Sequence, residues 1–380
     1  MNKYKDDLDE LLNILEDTHP NLYAFITKEE LHSKFDNLKD KCDNMNLQEF
    51  SVEISKILSC LKDGHTSIGF FGDALLEFRV INDKIYIIDD YKNKNSNYLY
   101  KYITKINDID INEIIEKLRI ILSYDNESWF KHLIEFQIIS KSLLKKIGVV
   151  NGDTYSITLN DGTIIDYKTE KEKIYRKLPV IIDEKELENN VYYIKYGTCN
   201  NDGNIDLTEF LDKCYNKIES NDYQNIIIDL RGNTGGNSEY FSKFKNRLSK
   251  LENKNYVVLV DRGVFSSGIF AACDMLNLGA KIIGEQPGCY FNHSGYPKYF
   301  TLTNSKIDIS CSHVEFHVTI GKIKSYYKKD INEENKDYFA KRYPVTLDEE
   351  IEEIIDDYIN GYDPYVDRAL NVLKNQLTFK

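Results

Sequence analysis

Three loops in the second half of this 380-residue chain hold residue types that can do chemistry. The first is Asp229-Leu230-Arg231-Gly232-Asn233-Thr234-Gly235-Gly236-Asn237, directly after an apolar, β-branched run. Glycines placed there let successive backbone N–H groups turn toward one point, and such a nest holds a phosphate or a developing oxyanion. No Lys followed by Ser or Thr completes a phosphate-binding loop, and a plain tight turn would read the same way. The second loop is Val260-Asp261-Arg262-Gly263-Val264-Phe265-Ser266-Ser267-Gly268-Ile269, between a strand-like and a helical run. A serine at that junction has its Oγ at a helix N-terminus, whose partial positive charge stabilises a developing anion. The N–H of the next residue is free to donate to the same anion. Serine is also a common helix N-cap, and Val264 stands where a GxSxG elbow has its first glycine. The third loop, 284–293, can fold back over a site and supply a base.

Other candidates are weaker. His313 and His317 stand four apart with Glu315 between them. On a helix this spacing binds a metal, but Ile307–Ile320 is β-like, which puts all three residues on one strand face. No third ligand cluster accompanies them, so neither a metal nor another cofactor is expected. Glu349-Glu350 and Glu352-Glu353 read as a solvated helix face. The 28 tyrosines read as core and rim packing.

The elements that must position these loops follow from periodicity. Leu8, Leu11, Leu12 and Leu15 repeat at helical spacing, His19-Pro20 breaks the run, and residues 28–42 and 47–62 add two amphipathic stretches. Asp63-Gly64-His65-Thr66 follows, with Gly64 suited to a helix C-terminus. Strand-like runs Leu75–Ile81 and Lys84–Ile88 are joined at Asn82-Asp83. A middle unit over residues 100–168 has a strand at Tyr102–Ile106, a helix at Asn112–Leu122 and a hairpin around Asn160-Asp161-Gly162. Residues 170–190 are charged and poor in glycine and read as a link. From 191 on, strands (Val191–Tyr196, Asn225–Leu230, Tyr256–Asp261, Lys281–Gly284) alternate with helices (Leu207–Ser220, Glu239–Leu251, Gly268–Leu278). That alternation predicts a layered α/β core. The tail reads as helical around Leu347–Tyr358 and Pro364–Leu373.

Composition narrows the function class. No run approaches the roughly 20 apolar residues that span a bilayer. The start, Met1 to Leu8, has neither the apolar core nor the cleavage site of a secretory signal. Seven unpaired-looking cysteines (42, 60, 199, 214, 273, 289 and 311) suit a reducing compartment, so the expected location is the cytoplasm. A net charge of −13 disfavours nucleic-acid and membrane partners.

Taken in order, the three loops resemble the C-terminal-processing (tail-specific) serine peptidases, a family that includes the tricorn core and the interphotoreceptor retinoid-binding protein modules. The matching pieces are Asp229–Gly236 (family pattern DLRGNxGG), Val260–Ala272 and Gly284-Glu285. His19-Pro20-Asn21-Leu22-Tyr23, Asp63-Gly64-His65-Thr66 and Gly361-Tyr362-Asp363-Pro364 look like the bacterial branch. The resemblance implies a crotonase-like (ClpP-like) α/β core over residues 190–380, an N-terminal helical region over 1–70 and a PDZ-like or spacer α+β domain over 71–175. It implies Ser266 as nucleophile, with the oxyanion held by Ser267 N–H and a backbone N–H of Gly235 or Gly236. Tail-specific members carry a lysine base where this chain has Tyr290, and a tyrosine with a pKa of about 10 is a poor base at neutral pH. Tricorn-like members use a histidine near the end of the helical region, which points to His65, oriented by Asp63 or Glu315. His293, close to the lost lysine, is the competing base. The motif after the nucleophile, Ser266-Ser267-Gly268-Ile269, lacks the family's acidic residue and is one residue shorter, which can re-aim Oγ. The implied function is cleavage of unstructured peptides or protein C-terminal tails. The alternative is an inactive ligand- or peptide-binding protein on the same scaffold. Oligomeric state is not set by the sequence.

Overall fold

The computed structural model describes residues 3–69, 76–168, 181–201, 205–319 and 322–377. The expected strand residue Leu75 and residues 170–180 of the expected link lie outside them. The chain forms two compact units. One is Met1–Lys177 with Asn292–His317 and Ser325–Lys341; the other is Leu178–Phe291 with Val318–Lys324 and Arg342–Lys380.

The first unit starts with helices Lys3–Thr18, Lys28–Lys41 and Leu47–Ser59. Capping boxes set two of their starts, Thr27 with Glu30 and Asn46 with Glu49. Leu8, Leu11 and Leu15 are buried as their spacing predicts, against Phe35, Phe50, Ile54, Leu302 and Ile309. The last two come from the 292–317 segment, which therefore belongs to this unit's core. A four-stranded sheet follows, in the order Ile109–Asp110, Ile103–Ile106, Thr154–Leu159, Ile164–Lys168. With the hairpin Leu76–Ile81/Lys84–Asp90 and helices Ile111–Ile121 and Glu127–Gln137, it forms a second apolar cluster.

The second unit is built on a six-stranded sheet, in the order Glu349–Glu350, Lys281–Gly284, Asn255–Val260, Asn225–Asp229, Val191–Tyr196, Ile182–Leu187. All pairs are parallel except the last. The inner strands are buried on both faces and so read as unbroken apolar runs. One face packs under the C-terminal helix through Tyr365, Ala369 and Leu373. The mixed α/β architecture agrees with the sequence pattern. One element differs: Glu349-Glu350, expected on a helix, is an edge strand paired with Ile283 and Gly284, and the helix begins only at Ile355. Among the described residues, no helix is long and apolar enough to cross a membrane.

Candidate active site

In the second unit, the Asn255–Val260 strand delivers the chain to a loop that ends at Ser266, and helix Ser267–Leu276 starts immediately after. Ser266 sits at φ 51°, ψ −124° and makes no side-chain capping bond to the helix it precedes. A non-glycine residue there is strained, and strain of this kind persists only where the surroundings enforce it. The enforcing contacts are visible. Asp261 Oδ1 accepts from both Gly232 N (2.8 Å) and Gly263 N (3.0 Å), stitching the two loops together. Phe265 N donates to Asn233 O at 2.9 Å. Buried Asn233 donates Nδ2 to Tyr196 O (2.9 Å) and accepts from Gly235 N (2.9 Å). Ser267 Oγ donates to Gly236 O at 2.6 Å.

These bonds bring Gly235, Gly236, Ser266 and Ser267 together. Gly235, at φ 105°, is so close that a Cβ on it would lie 2.8 Å from Ser266 Cβ and 2.9 Å from Ser267 N. Its own N–H is taken by Asn233. Among the described residues, the N–H groups of Gly236 and Ser267 meet no acceptor. Tyr290 is half-buried in the loop after Gly284.

The Asp229 loop is held from behind. Burial alone would raise the pKa of Asp229, but Arg231, Lys195 and Tyr193 outweigh it and hold the carboxyl below its ordinary range. Arg231 also donates to both carboxylate oxygens of Asp363, at 3.0 and 2.8 Å.

The histidines lie in the first unit. Asp63 is buried, and its carboxylate accepts from His65 N (2.9 Å) and Thr66 Oγ1 (2.6 Å) and meets His19 Nε2 at 3.1 Å. Burial would raise its pKa, but His19, His65 and Thr66 hold it low. His65 is buried, and burial outweighs the Asp63 charge to lower its pKa. The Ser294 backbone acts on the ring in the opposite direction, raising the pKa. The rings of His65 and His293 stack, with centroids 5.8 Å apart and planes 11° apart. The two competing bases therefore share one place. Of the two expected orienting groups, Asp63 Oδ1 stands 3.8 Å from His65 Nδ1, and Glu315 accepts from Ser294 Oγ at 2.6 Å.

Asp63, His65 and Asp125 each offer a metal-ligating atom within 4.8 Å of the others. Both carboxylates already hold the turn, since Asp125 accepts from Gly64 N at 3.0 Å. His313 precedes the strand Val314–Thr319 and bonds Tyr296 O, whereas His317 is buried among Tyr326, Tyr338 and Phe339. The roles of Asn233, Asp261 and His19 were not readable from the sequence, because each acts on main chain or side chain far away in sequence.

Comparison with known proteins adds a family resemblance over one segment. Residues 190–252, which include the Asp229 loop, match the model of peptidase family S41. No curated protein matches the chain. Among solved structures, mature CPAF superposes with a TM-score of 0.68 at 12% identity, covering 96% of this chain and 95% of that one. Mature CPAF complexed with lactacystin gives 0.68 at 11% identity, covering 100% and 99%. At these identities the likeness is one of fold. Residues 190–252, which carry the loop that faces the Ser266 turn, thus resemble peptidase family S41, and the chain shares its fold with mature CPAF.

Proposed function

We propose that Ser266 is the nucleophile and His65 the general base of this peptidase. Ser266 Oγ attacks a peptide carbonyl as His65 takes its proton. The resulting oxyanion is held by the N–H groups of Ser267 and Gly236, with Gly235 keeping them in register. His65 then protonates the leaving amine, and water releases the acyl group by the same steps in reverse order. His293, stacked on His65, is the alternative base. The substrate is an unstructured peptide or a protein C-terminal tail. The α/β core is of the crotonase-like kind, and the four-stranded middle sheet is the PDZ-like part.

The observation that carries this reading is the Ser266 turn. A serine whose task was capping would bond the first turn of its helix. Ser266 instead stands in a strained conformation with its side chain withdrawn from that task, beside two unengaged amides. Burial keeps His65 neutral near pH 7, the form a base needs.

The test is labelling with a fluorophosphonate, comparing wild type with Ser266→Ala, His65→Ala and His293→Ala. Labelling should vanish with Ser266→Ala and with His65→Ala. Loss with His293→Ala and not His65→Ala reassigns the base. Folded wild type that stays unlabelled across pH, with peptide present, sinks the catalytic assignment. Lactacystin, found on mature CPAF, is a second reagent for the same comparison.

A further inference from the structure

We infer that Tyr296, His313 and Tyr327 form an aromatic shelf that receives an aromatic side chain of the peptide substrate. The inference rests on the assignment of His65 or His293 as the base.

The shelf starts one residue after the glycine that packs against those histidines. Gly295 lies against both rings: a Cβ on it would be 3.4 Å from His65 Cε1 and 3.4 Å from His293 Cδ2. The next residue, Tyr296, is 66% exposed. Its backbone is at φ 51°, although it is neither glycine nor asparagine and precedes Pro297. Bulky residues avoid that region, so the surroundings must hold it there. His313 does so from both sides of the turn. Its N–H donates to Gly295 O at 3.2 Å, and its Nδ1 bonds Tyr296 O.

The strained turn displays a ring where it can be reached. The His313 ring packs beside Tyr296, with centroids 4.9 Å apart at 31°, and beside Tyr327 at 6.2 Å and 48°. Tyr327 is 45% exposed and is fixed by its N–H to Asp330 Oδ2 at 2.9 Å. Two half-open tyrosines flanking one imidazole give a continuous π surface that solvent does not favour. Rigid tyrosines are also the residues that carry most binding energy in recognition sites. Burial and the Lys298 charge lower the His313 pKa, against the bond to Tyr296 O, which raises it. Lys298 beside His313 disfavours a cationic guest and Asp330 beside Tyr327 disfavours an anionic one, so a neutral ring is the fitting occupant.

The test uses paired reporter peptides that differ by one Phe→Ser change, scanned along positions flanking the cleaved bond. The variant is Tyr296→Gly, because glycine tolerates φ 51° and keeps the turn. At one position, wild type should prefer Phe over Ser, and Tyr296→Gly should lower that ratio of kcat/KM by about 2- to 12-fold, the range of a ring–ring contact. The loss should be mainly in KM. A ratio that stays within twofold at every position overturns the shelf. Fluorescence polarisation of the same labelled peptides on Ser266→Ala protein reads the preference without turnover. A Phe preference there, in a wild type that fails to react with fluorophosphonate, keeps the shelf and removes the catalytic reading. Equal binding of both peptides in a wild type that does react does the opposite.

Discussion

A methyl group on Gly235 would lie 2.8 Å from the Cβ of Ser266, closer than real Cβ atoms approach. The contact is between two loops whose backbones are already fixed by Asp261 and Asn233, so neither can retreat cheaply. Gly235→Ala should therefore push Ser266 and the Ser267 amide out of register and also strain φ 105°. The expected loss in kcat is about 100-fold or more, the scale of removing one oxyanion donor. Steady-state kinetics on protein with a wild-type circular dichroism spectrum measures it. A folded Gly235→Ala enzyme within tenfold of wild type would show that Gly235 does not shape the site.

Asn233 gives a prediction about stability. Its side chain satisfies Tyr196 O and Gly235 N, and it is fully buried. Asn233→Ala leaves both groups unpaired, each at a cost of about 1–3 kcal/mol. Urea unfolding should show a loss in that range or up to twice it, with activity falling further than stability because Gly235 loses its anchor. An unchanged unfolding midpoint would contradict the role.

The pH profile carries a sign. A base works only when deprotonated, and burial holds the His65 pKa below its ordinary value of 6.5. The acid limb of kcat/KM should therefore fall below pH 6.5. The Asp63 charge acts the other way and holds that pKa up. Asp63→Asn should shift the limb to lower pH while reducing kcat through loss of the turn it anchors. A limb that moves up, or does not move, would mean that another group titrates. Stability follows its own window. The lowered carboxyl of Asp63 stabilises the fold above the unfolded value of about 3.9, and that contribution is lost as pH falls through the lower folded value.

The chemistry was legible wherever residue type alone constrains the backbone. The glycines of the Asp229 loop, the apolar runs ending in Asp229 and Val260, and the spacing of Leu8, Leu11 and Leu15 all lie where the structure puts them to use. What was not legible depends on distant partners. Serine at position 266 serves a cap or a strained elbow equally well, and only Asn233 and Gly235 decide between them. Glu349-Glu350 sits in a run with helical spacing, yet pairing with Ile283 and Gly284 makes it a strand, tertiary contact overriding local pattern. Residues 292–317 follow the core in sequence but pack with the first helices, because Leu302 and Ile309 complete that apolar cluster. No local pattern in the sequence announces that return.

Arg231 and Asp363 make the last prediction, an ordering of costs. Asp363 accepts both Arg231 guanidinium nitrogens and also the N–H groups of Tyr365 (3.1 Å) and Val366 (3.2 Å), so it caps the C-terminal helix while anchoring it to the Asp229 loop. It is exposed, so water replaces much of what Asp363→Ala removes, and the loss should be about 1 kcal/mol, that of a helix cap. Arg231 is different. It pairs with Asp229, which is fully buried, and Arg231→Met leaves that carboxylate with Lys195, Tyr193 and the backbone N–H of residue 231. Breaking one side of a buried pair costs about 3–5 kcal/mol, because the remaining charge stays out of water. Urea unfolding should thus rank Arg231→Met well below Asp363→Ala. Adding Asp229→Asn to Arg231→Met should recover part of the loss, since the stranded charge is gone. Equal costs for the two single variants, or no recovery in the double, would mean that the loop is held by its backbone bonds and not by this charge pair.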